Sequence, residues 1–256
     1  MRREVGRAGS AGFTIIEVIL FLAISSALVI GLLATVGSTI SRQRFTDSVT
    51  STQAFLQSGY NETLNVINDR SSDACSVASG TTVVGSGAVA TNRGASNCVV
   101  LGKALDFTPD GSVITTHTVI GTEPTTASTD TGADLLKRYA PGIDTSTRST
   151  GDGSTATYDL PWGAQVIGVR QNGSTERATR VLLLRSPDSG LVLTFGDNGG
   201  TSLIGALTSG AHAYNLCLKS ADIINAVSMV ALSSATGAEG VTTRFDLNGT
   251  AQGSLC

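Results

Sequence analysis

Glu17 is the only ionisable side chain between Ala8 and Ser41. A carboxylate at the head of an apolar run is costly to place in lipid, so an acid there is expected to be paired or functional. Other chemistry-bearing residues are few. Four cysteines stand at 75, 98, 217 and 256, and no two have the C-x-x-C spacing of a zinc or dithiol redox site. The two histidines, His117 and His212, are each expected in a strand, without a companion at ligand spacing. Asp144, Asp152, Asp197 and Asn198 offer the oxygen ligands that calcium takes. They lack EF-hand spacing and are read as solvated turn residues. Neither a G-x-S-x-G nucleophile elbow nor a G-x-x-x-x-G-K phosphate loop occurs. Gly85-Ser86-Gly87-Ala88-Val89-Ala90 fits the looser dinucleotide fingerprint. It lies between two cysteines with no helix expected after it, and is read as a turn. No metal, no cofactor and no enzymatic activity are expected.

The elements that must position these residues begin with the first fifth of the chain. Arg2, Arg3 and Arg7 against Glu4 give a basic start, and Val18 to Ser41 then runs 24 residues without a charge. As a helix that run spans ~36 Å at 1.5 Å per residue, enough for a bilayer core of ~30 Å. Arg42 and Arg44 close it. Basic residues before an apolar run mark the cytoplasmic end of an export or membrane segment. Since the first proline is Pro109, the helix can continue beyond the apolar run. Phe45, Val49, Thr52, Leu56, Tyr60, Thr63 and Ile67 recur at three- and four-residue spacing, one face of an amphipathic helix able to dock on a sheet. The helix is expected to end near Arg70 and the Ser71-Ser72-Asp73 cluster.

Residues 71–256 read as mostly β. Strands are expected at Thr81–Val84, Cys98–Leu101, Val113–Ile120, Ala164–Arg170, Thr179–Arg185, Leu191–Phe195, Tyr214–Lys219, Ile223–Leu232 and Val241–Leu247. Pro187-Asp188-Ser189-Gly190 is a hairpin turn, and Asp197-Asn198-Gly199-Gly200 a second turn. Asp134–Tyr139 reads as a short helix inside Thr122–Thr157, a polar stretch otherwise taken as surface loop. Four cysteines allow three pairings. The sequential one, Cys75–Cys98 with Cys217–Cys256, is the simplest and is expected, at ~3.5 and ~4 kcal/mol by loop entropy. Such bridges require an oxidising compartment.

Composition narrows the function classes. Of 256 residues, 41% are hydrophobic and only 14% charged, with 30 glycines and a net charge of −3. That is neither a disordered chain nor a collagen, and it suits an exported β-rich domain. Three of the 17 basic residues and one of the 20 acidic ones precede Phe13, leaving 14 against 19 and a net −5. A broad nucleic-acid-binding surface is therefore not expected.

The string Gly12-Phe13-Thr14-Ile15-Ile16-Glu17, after a basic leader and before an apolar run, resembles the cleavage and methylation motif of type IV prepilins and type II secretion pseudopilins. The close resemblance covers about residues 1–50. It implies cleavage between Gly12 and Phe13 by a membrane prepilin peptidase, N-methylation of Phe13, and a role for Glu17, fifth in the mature chain, in assembly. The implied organisation is a leader over 1–12, a transmembrane and polymerisation helix over 13–41, an amphipathic helix over 42–70 and a β-rich head over 71–256. The implied fold class is α+β: a long N-terminal helix, transmembrane then amphipathic, packed on a mostly antiparallel sheet. The implied function is a structural subunit, a minor pilin or pseudopilin, of a type IV pilus-like filament. Its partners would be other pilin subunits, the peptidase and methylase, a membrane assembly platform and, before assembly, the cytoplasmic membrane; after assembly it would lie in an extracellular filament. A major pilin, or an anchored exported enzyme or binding domain that never polymerises, are the alternatives.

Overall fold

The computed structural model describes residues 14–66, 74–85, 96–144, 155–172, 177–197, 203–223 and 226–246. Two compact units divide the chain, Met1–Gln43 and Arg44–Cys256. The helix α1, Ile15–Leu64, begins in the first and ends in the second. It passes through Gly31 and Gly37 without a break, as a proline-free stretch allows. In the first unit its large apolar side chains are exposed, from Ile15 through Ile40.

The second unit is β-rich. Its strands are β1 (Ala74–Ala78), β2 (Thr81–Gly85), β3 (Cys98–Phe107), β4 (Val113–Thr122), β5 (Gly142–Ile143), β6 (Thr155–Asp159), β7 (Gln165–Gln171), β8 (Arg177–Ala178), β9 (Arg180–Arg185), β10 (Val192–Asp197), β11 (Tyr214–Lys219), β12 (Val227–Leu232), β13 (Ala235–Thr236) and β14 (Val241–Asp246). Two short helices, α2 (Gly132–Arg138) and α3 (Leu203–Thr208), interrupt them. Every described pairing is antiparallel. The larger sheet runs β13-β10-β9-β3-β4-β5, with β6 also on β4; the smaller runs β14-β12-β11-β7-β8; β1 and β2 form a separate hairpin. The protein is thus α+β, the fold class that the resemblance implies.

The buried half of α1 is the spine of the main core. Phe45, Val49, Leu56 and Tyr60 pack with Leu105, Ile114, Val181 and Leu183 of the larger sheet and with Val169, Leu216, Val230 and Leu232 of the smaller. Thr52 and Thr63 lie buried on the same helix face, their hydroxyls bonded back to the Ser48 and Gly59 carbonyls. The expected face is therefore the buried one, but the helix stops at Leu64, short of the expected end near Arg70; Ile67 lies outside the described residues. The larger sheet has a second covered face, where Leu182, Leu184 and Phe195 meet Leu136 of α2 and Leu203 and Leu207 of α3. Burial on both faces explains why Val181-Leu182-Leu183-Leu184 is apolar without alternation. Gly102 marks a bulge in β3, and a Cβ there would lie 2.0 Å from the Leu183 carbonyl oxygen.

Three further expectations need correction. Thr122–Thr157 is not mainly loop: it holds α2, β5 and the start of β6, and Leu136, Ala140 and Asp144 are buried. Ala133, Leu136, Tyr139 and Ile143 supply enough apolar surface to cover a sheet face despite the polar average. Residues 145–154 within it lie outside the described residues. Ile223 belongs to a turn, and β12 starts only at Val227. His212 precedes β11 in an irregular segment rather than sitting in a strand. The Pro187–Gly190 turn does join β9 to β10 as a hairpin. The second expected turn falls mostly on residues 198–200, outside the described residues, as does most of the Gly85–Ala90 string.

Candidate functional site

The first turn of α1 is capped from within. The Glu17 backbone N–H donates to the Thr14 carbonyl at 3.1 Å and to its hydroxyl at 3.4 Å, and the Val18 N–H donates to the same carbonyl at 3.2 Å. Thr14 thereby accepts the first intrahelical bond from Val18 and satisfies the Glu17 amide, which has no partner within the helix. Glu17 is the acidic residue of that first turn, next to the positive end of the helix dipole. This placement is favourable whatever else the carboxylate does. Gly12 and Phe13 lie outside the described residues.

Beyond Glu17 the helix presents Val18, Ile19, Leu20, Phe21, Leu22, Ile24 and further aliphatic residues to Ile40, each exposed. An exposed apolar surface this long marks a membrane or protein interaction site. Its hydroxyls do not interrupt it. Ser26, Thr35 and Thr39 donate to the carbonyls of Leu22, Gly31 and Thr35, four residues back, and Ser38 donates to Thr35. Donors bonded inside the helix need no water, the condition for crossing hydrocarbon. Among the described residues α1 is the one helix long and apolar enough to span a bilayer, a property that anchors and signal sequences share.

The Cys75–Cys98 bridge is present, with Cα atoms 5.1 Å apart, packed with Ile120 and Val84. The Asn97 amide brackets it, donating to the Cys75 carbonyl at 2.7 Å and accepting from the Cys75 N–H at 2.9 Å. The bridge ties the β1–β2 hairpin to β3 and fits an oxidising, extracytoplasmic compartment. Cys217 is itself disulfide-bonded, but the expected Cys217–Cys256 pair involves Cys256, which lies outside the described residues.

Sequence reasoning missed a polar row across five neighbouring strands. His117 Nε2 lies 3.3 Å from Asp106, and its Nδ1 3.1 Å from the Thr155 hydroxyl. Arg180 donates to both oxygens of Asp106 and, at 3.4 Å, to Asp197. The hydrogen bond to Asp106 raises the Arg180 pKa further. Asp106 and Asp197 both face Arg180 in the strand register, so only the pairing of β3, β9 and β10 reveals the row. Asp197 is therefore no solvated turn acid, and neither is Asp144, which is buried; Asp152 and Asn198 lie outside the described residues. His212 Nε2 lies 2.8 Å from the Ser209 carbonyl. Among the described residues no group of three or more His, Cys, Asp or Glu side chains could hold a metal.

The candidate site is thus a surface: an exposed apolar helix with one carboxylate in its first turn, continued as the spine of a two-sheet head. Comparison with known protein families, curated proteins and solved structures finds no match to the chain.

Proposed function

We propose that this chain is a structural subunit of a type IV pilus-like filament, a minor pilin or pseudopilin, held in the cytoplasmic membrane until it assembles through its N-terminal helix. One observation carries the reading. A single proline-free helix offers its first half as exposed apolar surface and buries its second half as the core of an antiparallel β head. An enzyme tethered to a membrane has no need of a helix that serves both layers, whereas in a polymerised subunit the same helix supplies the packing surface with its first half and the core of the head with its second. The Gly12-Phe13 junction after a basic leader and Glu17 five residues into the mature chain support the same reading. In a packed array of such helices the Glu17 carboxylate would pair with a neighbour's Phe13 amine and select one axial register among the many that apolar packing permits.

The deciding measurement is the mass of the mature chain. The expected product begins at Phe13, with its amine methylated, and depends on a prepilin peptidase. A mature chain beginning near residue 35–40 would identify an ordinary signal peptide and remove this reading. An uncleaved chain that never enters filaments would favour the anchored, non-polymerising domain.

A further inference from the structure

Trp162 is the only tryptophan in the chain, and 55% of its surface is exposed. Its backbone is left-handed, with φ 58°, a conformation that costs a non-glycine residue on the order of 1–3 kcal/mol. Pro161 precedes it and Gly163, itself at φ 67°, follows, where a Cβ would press to 3.3 Å from that of Ala221. A tight, strained turn thus holds the largest apolar side chain outward instead of burying it. The Arg44 guanidinium carbon lies 5.1 Å from the ring centroid, within cation–π range.

Arg44 fixes where this ring is. It stands three residues after Ser41, where the uncharged run ends. Three residues of chain span at most ~11 Å, whatever the disposition of the two compact units. The register Gln165–Lys219–Val227–Asp246 crosses the smaller sheet close to the same turn. It brings in exposed Lys219 and Phe245, the latter 42% exposed, against the exposed carboxylate of Asp222. Trp162 and the Arg44 cation therefore lie together where the head begins, with Lys219 one strand away beside Gln165 and Phe245 two strands further on. Aromatic rings favour the headgroup level of a bilayer, and cations beside them meet lipid phosphates.

We propose that Trp162, stacked with Arg44, is an interfacial contact that seats the head on the bilayer surface around the helix exit before assembly. The inference rests on the membrane-inserted part of the proposed function and not on polymerisation. Its occupant is the headgroup layer of the lipid.

The single tryptophan makes the test direct. Full-length protein is reconstituted into phosphatidylethanolamine–phosphatidylglycerol vesicles, with or without lipids brominated near the glycerol end of the acyl chains. A Trp162→Phe, Leu191→Trp variant provides the comparison. Leu191 follows the turn after β9, and Leu183 of β9 already packs beside Gly59, about 22 Å along the helix from Arg44. The expected result is that brominated lipid quenches Trp162, and that its iodide quenching constant falls several-fold below that of the variant's tryptophan. Protein that floats with the vesicles while Trp162 stays open to iodide and untouched by bromine overturns this inference alone. Protein that does not float overturns the membrane reading and this inference with it. A Trp162 signal open in vesicles but shielded in lipid-free sheared filaments also overturns it, assigning the ring to subunit packing.

Discussion

The Tyr60 phenol, on the buried half of α1, hydrogen-bonds the Thr194 hydroxyl of β10 at 2.7 Å. Thr194 in turn donates to the Ser233 carbonyl at 2.8 Å. The Tyr60 hydroxyl also lies 3.4 Å from the same Ser233 carbonyl, so the two hydroxyls share one acceptor and either can donate to the other. This chain of bonds locks helix, larger sheet and the approach to β13 together inside the core.

Tyr60→Phe should therefore destabilise the protein by about 1 kcal/mol, the loss of one net hydrogen bond. Tyr60→Ala should cost about 3–5 kcal/mol, as for other large aromatic deletions. Burial pushes the Tyr60 pKa from 10.0 to about 12. A raised folded-state pKa means that the folded state holds this proton more tightly. The stability it contributes is complete below pH 10 and is lost as pH rises through about 12. Tyrosinate absorbance should show Tyr60 among the late-titrating tyrosines, and Tyr60→Phe should flatten the alkaline loss of stability. A Tyr60→Phe protein with an unchanged alkaline transition would contradict this assignment.

Arg180→Ala should destabilise the head by about 2–3 kcal/mol. The substitution leaves Asp106 and Asp197 without their shared cation, and partial solvent access keeps the loss below that of a fully buried pair. Arg180→Lys should recover only part, because a single ammonium cannot reproduce the fork on Asp106. Urea denaturation of the two variants checks both. If lysine restored full stability, the bidentate geometry would carry no weight.

How much of this was legible in the sequence depends on the element. The helix face of Phe45, Val49, Thr52, Leu56, Tyr60 and Thr63 was readable because a helix docked on sheets must keep one face apolar or small. In β3 the signal stops at Leu101, yet the strand runs to Phe107. Its later residues include Lys103 and Asp106, whose partners Glu62 and Arg180 come from distant parts of the chain. Local alternation cannot register such pairs. The hairpin strand β1 and the short helix α3 were missed for another reason: each is too brief for periodicity to show, and each owes its form to what it covers. Glu17 was legible as an anomaly, but its cap by Thr14 was not singled out.

Removing the bridge by Cys75→Ser with Cys98→Ser should cost about 3.5 kcal/mol, from the loop entropy of a sequence separation of 23. Because the bridge tethers a hairpin outside both sheets, the early opening should localise there. Hydrogen exchange should show β1 and β2 losing protection before β9 and β11. Uniform loss of protection across the head would show that the hairpin is part of one cooperative unit with the sheets.

Glu17→Gln should impair filament incorporation several-fold while leaving the head folded. The carboxylate lies in the first turn of a helix whose apolar surface extends to Ile40, and the head begins only at Arg44. Loss of charge at that distance has no route to the Tyr60–Thr194 lock or the Cys75–Cys98 bridge, so thermal unfolding should be unchanged. Two effects of the substitution can be separated. Weakening of the helix dipole interaction is worth about 0.3–1 kcal/mol and should also occur in Glu17→Ala. Loss of register pairing should instead be recovered by Glu17→Asp to the extent that the shorter side chain still reaches a neighbouring amine. Incorporation is read from sheared filaments or from co-purification with partner subunits. Normal incorporation of Glu17→Gln would show that apolar packing alone sets the register, leaving the carboxylate as a helix-start residue only.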